Sequence, residues 1–187
     1  WLLSPLILTI VMVLCLNIPS HAIALITLAS RIMQQDDQFS RKNMKQKKIL
    51  FTDMDGTILF SDNGKTYFKE SDLDAIKEFQ QRGNLIVINS GRALPWIVAP
   101  LEGYLLPDYM IAGTGSIIAD SHQQILHEEP VSFTAIKKII NEYASDIPLT
   151  VHTKDNVFSC NQIKQYNLPT TPISSIDLLK TEKLYGM

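Results

Sequence analysis

The sequence predicts an α/β fold built on a doubly wound parallel sheet, and three observations carry that expectation. Short apolar runs of strand length alternate with amphipathic stretches of helix length from Lys48 to Ile118. The apolar runs stop abruptly at polar residues, as strands buried on both faces do where they meet a loop. The chain has 187 residues, 45% of them apolar, enough for one domain or for one core with part of another. That apolar content, with eight glycines and nine prolines, excludes a disordered or collagen-like chain. A net charge of -2 gives no global electrostatic case for binding nucleic acid. Cys15 and Cys160 cannot make a disulfide framework, and no His/Cys cluster has zinc-ligand spacing.

Residues 1 to 30 contain no Asp, Glu, Lys or Arg. About 20 apolar helical residues cross a bilayer, so the segment is long enough for a membrane helix. Asn17 and Pro19 separate its two greasiest stretches, Leu6 to Leu16 and Ala22 to Ala29. Residues 31 to 48 follow with six basic groups against Asp36 and Asp37, a net of +4. Such a flank after a spanning helix would keep the following domain on the cytoplasmic side. A signal peptide is the weaker reading, because no basic residue precedes the apolar run, although Ser20-His21-Ala22 is a passable cleavage site. A third reading takes the segment as a leader foreign to the working protein, since the chain opens on Trp1 while Met44 stands just before the first strand. The expected organisation is an apolar segment (1–30), a basic linker (31–45), a core (46–129) and part of a second unit (130–187).

Within the core, Ile49-Leu50-Phe51-Thr52 reads as a buried parallel strand ending at Asp53. Asp62-Asn63-Gly64-Lys65 is most simply a hairpin turn. Ser71-Asp72-Leu73-Asp74 has the form of a helix start, with Leu73, Ile76 and Phe79 as its inner face and Gly83 just past its end. Leu85-Ile86-Val87-Ile88 is the second strand, followed by a turn at Ser90-Gly91. A helix from about Ala93 to Leu101 tolerates Pro95 because it falls in the first turn. Tyr109-Met110-Ile111 is the third strand, broken by Gly113-Thr114-Gly115. Beyond Pro130, an amphipathic helix begins at Phe133. Leu149-Thr150-Val151-His152 and Asn156-Val157-Phe158-Ser159 then form a hairpin around Lys154-Asp155.

Ligands of open α/β sheets sit at the carboxyl ends of the strands, where Asp53 and Ser90 both fall. Asp53-Met54-Asp55-Gly56-Thr57 puts two carboxylates past one strand end, and keeping both ionised and close calls for a cation or a shared proton. Gly56 permits a sharp turn with exposed N–H groups, and Thr57 adds a hydroxyl. Asn89-Ser90-Gly91-Arg92 ends the second strand with a hydroxyl, free N–H groups at a helix start and a guanidinium, which together suit a phosphate.

At these residues the sequence resembles the haloacid dehalogenase-like (HAD) hydrolases, a superfamily dominated by Asp-dependent phosphatases. Asp53-Met54-Asp55-Gly56-Thr57 matches the first motif, Asp-x-Asp-Gly-Thr, and Asn89-Ser90-Gly91-Arg92 matches the second in its Cof-type, class IIB form. The stretch from Tyr109 to Ile118 looks like the family's third strand and following hairpin, with Gly113-Thr114-Gly115 where many relatives have Asn-Gly. The resemblance covers roughly residues 46 to 187. It implies a Rossmann-like core and a Mg²⁺-dependent phosphatase acting on small phosphorylated metabolites, sugar phosphates above all. Asp53 would be the nucleophile, forming an aspartyl-phosphate, and Asp55 the acid and then the base. Asp53 and Asp55 would hold Mg²⁺, and Gly56, Thr57, Ser90, Gly91 and Arg92 would bind the phosphoryl group.

The family also uses a later Lys and a later Gly-Asp-x-x-Asn-Asp segment, and neither has a counterpart after Ile118. The chain is therefore expected to end inside a class II cap and to be poorly active or inactive as it stands. Only 32 residues separate Thr57 from Ser90, too few for an inserted domain, so the cap must follow the third strand. A phosphotransferase or phosphomutase of the same superfamily would use the same residues. A non-catalytic, membrane-tethered module that binds a phosphorylated ligand is the reading from another class. A calcium loop at Asp53 is more distant, because an EF-hand's other oxygen ligands are missing. His21, His122, His127 and His152 share no ligand spacing, Cys160 reads as a packed thiol, and Trp96 reads as core packing.

Overall fold

The computed structural model describes residues 11–12, 47–161 and 169–187. Its main element is a six-stranded sheet in the order β1 (Val11–Met12), β2 (Ile49–Thr52), β5 (Leu85–Asn89), β6 (Tyr109–Ala112), β7 (Ile117–Asp120) and β8 (Ile125–Glu128). The first four run parallel, and β7 and β8 are added antiparallel by tight turns. Between β2 and β5 lie a small hairpin, β3 (Leu59–Asp62) with β4 (Lys65–Phe68), and helix α1 (Glu70–Gln81). Asn63 and Gly64 both have positive φ, 49° and 75°, which matches a two-residue hairpin turn to the twist of its strands.

From β2 to β5 to β6 the chain advances across the sheet in one direction. Right-handed crossovers then carry both connecting helices, α1 and α2 (Leu94–Leu101), to the same face. There Leu73 and Ile76 of α1, with Leu94, Ile97 and Leu101 of α2, bury against Ile86, Ile88, Met110 and Ala112. Ile49, Phe51, Val87, Ile111 and Ile118 form a separate apolar cluster on the other side of the strands. The sheet is thus mixed, and among the described residues its helices cover one face. The sequence predicts winding on both, because helix-strand alternation is readable locally while strand order is not.

The apolar helix expected at the start of the chain is not supported. Val11 and Met12 are extended and pair in parallel with Leu50 and Phe51. The β-branched residues in that stretch of sequence (Ile7, Thr9, Ile10, Val11, Val13) favour a strand where a sheet edge is free. The rest of residues 1–46, including the basic linker, lies outside the described residues. No helix among the described residues is long and apolar enough to cross a membrane. A smaller correction concerns α1. It begins at Glu70 after an extended Lys69, and the Ser71 hydroxyl donates to the Asp72 carboxylate instead of capping the helix. Gly83, at φ 83°, takes the left-handed conformation that follows a helix end.

A second unit follows β8. Helix α3 (Phe133–Tyr143) packs Ile136 and Ile140 against Leu149 and Val151, alongside Ile176, Leu179 and Leu184. Its three-stranded sheet has the order β11 (Thr171–Pro172), β10 (Val157–Ser159), β9 (Thr150–His152), with β9 and β10 antiparallel. Two chain segments connect the units side by side. The Val131 N–H donates to the Leu184 carbonyl at 2.7 Å, and the Ser116 hydroxyl donates to the Tyr185 carbonyl at 2.6 Å. Glu128 accepts from both the Lys183 ammonium and the Tyr185 hydroxyl, which holds its carboxyl below the usual range. Burial and the Glu128 charge raise the Tyr185 phenol in turn.

The second unit also rests on the start of α2. Trp96 is buried with Ala93 and Val157, and its Nε1 donates to the Pro169 carbonyl at 3.0 Å. The His152 ring lies 5.6 Å from the Trp96 ring. His152 Nε2 is 3.1 Å from Thr150 Oγ1, and Nδ1 has no partner among the described residues. Burial lowers the His152 pKa from an ordinary 6.5 to about 4. Between those values the unfolded chain binds the proton and the folded chain does not. Stability is therefore complete above pH 6.5 and is lost as pH falls toward 4, by up to about 3 kcal/mol. Urea unfolding across that window will show the slope, and His152→Leu will flatten it; an unchanged slope in the variant would assign it to other groups.

Candidate active site

Asp53 leaves β2 half-buried, and Asp55 is exposed. Between them Met54 is fully buried, so the alternation of the strand sends one apolar side chain into the core and leaves its acidic neighbours at the surface. The Met54 carbonyl holds the loop by accepting from the N–H groups of Ile58 and Leu59, at 3.1 and 2.8 Å. The turn requires φ of 72° at Gly56, which side chains with a Cβ rarely adopt. The Gly56 N–H donates to the Leu59 carbonyl at 2.8 Å, so this residue supplies the turn, and its amide already has a partner. Thr57 is half-buried beside it.

The second loop follows β5, hydrogen-bonded directly beside β2. Ser90 is buried, and its N–H donates to the Ile111 carbonyl at 2.9 Å. Its Oγ accepts from the Arg92 N–H at 3.2 Å, which leaves the hydroxyl proton to be donated elsewhere. A Cβ placed on Gly56 would meet nothing within 4 Å, and one on Gly91 would meet only Thr114 Cγ2 at 3.9 Å. Both glycine backbones thus border open space at the loop tips.

Arg92 joins the loops. Its Nε and Nη2 donate to the two carboxylate oxygens of Asp55 at 2.8 and 2.6 Å, a bidentate pair spanning 37 positions of sequence. Its Nη1 donates to the Trp96 carbonyl one helical turn on, at 3.0 Å. Its own carbonyl accepts from the Gly113 N–H at 2.7 Å, which ties in a third loop after β6. In that loop Thr114 is exposed with φ 56° and ψ 32°, a left-handed conformation uncommon for a β-branched residue. The resemblance assigns Arg92 to the phosphoryl group, and in this structure its guanidinium holds Asp55. Sequence reasoning missed this link of Trp96 to the site, and the four-residue spacing from Arg92 across the start of α2 is the signal that could have found it.

The residues read from the sequence therefore gather at the carboxyl ends of β2 and β5. His122, His127 and Cys160 stand apart. His127 lies 3.6 Å from Glu129, and burial raises the Cys160 thiol to about 11, away from nucleophilic duty. A cavity of about 700 Å³ opens elsewhere, beside Leu101, Leu105 and Met110 at the amino ends of the strands. Its lining is largely apolar, and none of the chemistry-bearing residues reaches it. For a cation, the donors at the loops are all hard oxygens. They comprise the Asp53 carboxylate, the Asp55 residue and, at the end of the adjacent strand, Asn89, whose buried Oδ1 has no hydrogen-bond partner among the described residues. That chemistry fits Mg²⁺. Among the described residues no group of three or more His, Cys, Asp and Glu is placed to hold a metal by itself.

Comparison with known proteins bears on this arrangement. A family model described as haloacid dehalogenase-like hydrolase matches residues 50–183. An uncharacterized protein of Mycoplasma capricolum is 30% identical over 127 residues, covering 63% of this chain and 48% of its own. The 5-amino-6-(5-phospho-D-ribitylamino)uracil phosphatase YcsE of Bacillus subtilis is 30% identical over 89 residues, covering 45% of this chain and 34% of its own. Among solved structures, the HAD subclass IIB sugar phosphatase BT4131 superposes with a TM-score of 0.57 at 17% identity, over 74% of this chain and 56% of that one. At that identity the likeness is one of fold. The chain spans about half or less of the length of these curated relatives.

Proposed function

Because the chain belongs to the haloacid dehalogenase-like hydrolases, we propose that it serves a phosphatase that hydrolyses small phosphate monoesters through an aspartyl-phosphate on Asp53. The observation that carries this reading is the meeting of the Asp53–Asp55 loop with the Ser90–Arg92 loop at adjacent strand ends, bridged by the Arg92–Asp55 pair. In the reaction an Asp53 carboxylate oxygen attacks phosphorus and the ester P–O bond breaks. Asp55 gives its proton to the departing alkoxide. Water then attacks phosphorus, with Asp55 taking its proton, and the Asp53–phosphorus linkage breaks to release inorganic phosphate. The Ser90 hydroxyl, the Gly91 backbone and Thr57 receive the phosphoryl oxygens, and Gly56 sets the turn that leaves room for them.

Mg²⁺, held by the Asp53 carboxylate and the backbone of Asp55, would supply neutralisation of the phosphoryl charge. Sugar and polyol phosphates are the substrate class favoured by the relatives, one named a sugar phosphatase and one a phosphatase of a ribityl phosphate. The test is phosphate release from a panel of sugar, polyol and aryl phosphates, with and without chelator. Turnover should vanish with chelator and return with Mg²⁺. Release that ignores the chelator would remove the metal from the scheme, and no release from any ester at saturating Mg²⁺, by this chain or by a form extended to carry the later Lys and Gly-Asp-x-x-Asn-Asp segment, would reject the proposal.

A further inference from the structure

An unbroken series of contacts runs from the second unit into the site. Trp96 is a core residue, yet its surroundings belong largely to the other unit. Val157 packs on it, the His152 ring lies 5.6 Å away, and the Pro169 carbonyl accepts from its Nε1 at 3.0 Å. At its backbone the Trp96 carbonyl accepts from Arg92 Nη1 at 3.0 Å, and the other two donors of the same guanidinium hold Asp55. Arg92 has only 16% of its side chain exposed, against 54% for Asp55. The buried partner is therefore the one whose position packing can set. A planar guanidinium fixed at one corner has its other two donors aimed by that corner.

We propose that Trp96 is a positioning residue: seating of the second unit on its indole fixes the first turn of α2, and through Arg92 fixes the direction in which Asp55 points. This rests on the functional reading above, since it assigns a consequence to the orientation of the proton donor. With the second unit seated, Arg92 presents Asp55 to the space between the loops. With the seat lost, the Trp96 carbonyl shifts with its helix turn and Asp55 loses its aim, although Asp53 and Ser90 stay on their strands. The effect on turnover then depends on the leaving group. An alkoxide needs the proton that Asp55 delivers, whereas p-nitrophenolate leaves without one.

The experiment compares glycerol phosphate with p-nitrophenyl phosphate in the wild-type chain and in the Trp96→Phe, Trp96→Ala and Asp55→Asn variants. Trp96→Ala should lower kcat on glycerol phosphate by about tenfold and on p-nitrophenyl phosphate by less than about twofold, in the same direction as Asp55→Asn. Trp96→Phe, which keeps a ring on Val157, should restore most of the loss. Equal losses on both esters, or none on either, would overturn the proposal. Where Trp96→Ala fails to fold, Val157→Ala carries the same comparison, because it trims the seat from the other unit and touches neither Arg92 nor Asp55. A readout independent of turnover is the Arg92 Nε–H resonance, identified by its loss in Asp55→Asn. Its collapse in Trp96→Ala or Val157→Ala supports the coupling, and its persistence unchanged in both rejects it. If neither the wild-type chain nor a form extended to carry the later Lys and Gly-Asp-x-x-Asn-Asp segment hydrolyses either ester, the functional reading has failed while this resonance still decides whether the contact path operates.

Discussion

Asp53→Asn is expected to lower phosphate-ester turnover by about 10³-fold or more, with the unfolding midpoint held within roughly 2 °C. The amide keeps the shape and much of the polarity of the carboxylate, but it is neutral and a poor nucleophile toward phosphorus. It also withdraws the one charged ligand that the proposed Mg²⁺ site takes from β2. The fold has little reason to respond, because Asp53 is half-buried at the end of a strand whose register is set by Ile49 to Thr52 against Leu85 to Ile88. Phosphate release and thermal unfolding on the same preparations decide the matter. Turnover that survives the substitution would remove Asp53 from the chemistry. A wild-type chain that binds phosphate, turns over no ester and binds as well after substitution would instead favour the non-catalytic phospho-ligand module.

Ile97→Ala is expected to be the most costly change to the fold. Ile97 has no exposed surface, and it belongs to the cluster in which α2 packs on Ile86, Ile88 and Met110. Deleting that much buried aliphatic side chain costs about 2–5 kcal/mol, because the lost transfer energy adds to the cavity left behind. In a chain of this length that lowers the melting temperature by roughly 5–15 °C. The consequence reaches the site, since α2 begins two residues after Arg92 and carries Trp96 in its first turn. Activity should therefore fall before the global midpoint is reached, as α2 loosens locally. A midpoint unchanged by Ile97→Ala would mean that α2 packs less closely than this structure has it.

Local order and local chemistry were legible from residue types. The strand at Ile49–Thr52 shows as four apolar or β-branched residues before an acid, and α3 shows as an apolar face beginning at Phe133. The hairpin turn at Asn63-Gly64 and the helix end at Gly83 follow from which residues tolerate positive φ. α1 starts two residues before the position that a Ser71 cap implies, since a serine beside an aspartate satisfies its hydroxyl without capping anything. Val11 and Met12 defeat the expected helix because apolar composition does not distinguish a helix from a strand, and sheet pairing decides between them.

The amino-acid sequence alone determined where strands end and which reactive groups stand at those ends, because burial periodicity and turn chemistry are properties of neighbouring residues. Only the tertiary structure decided that Arg92 holds Asp55 across 37 positions, that Trp96 carries the second unit, and that α1 and α2 share one face of the sheet. Those outcomes depend on strand order and on contacts between segments remote along the chain. Many pairings of such segments satisfy the same local preferences, and packing of the whole core selects among them.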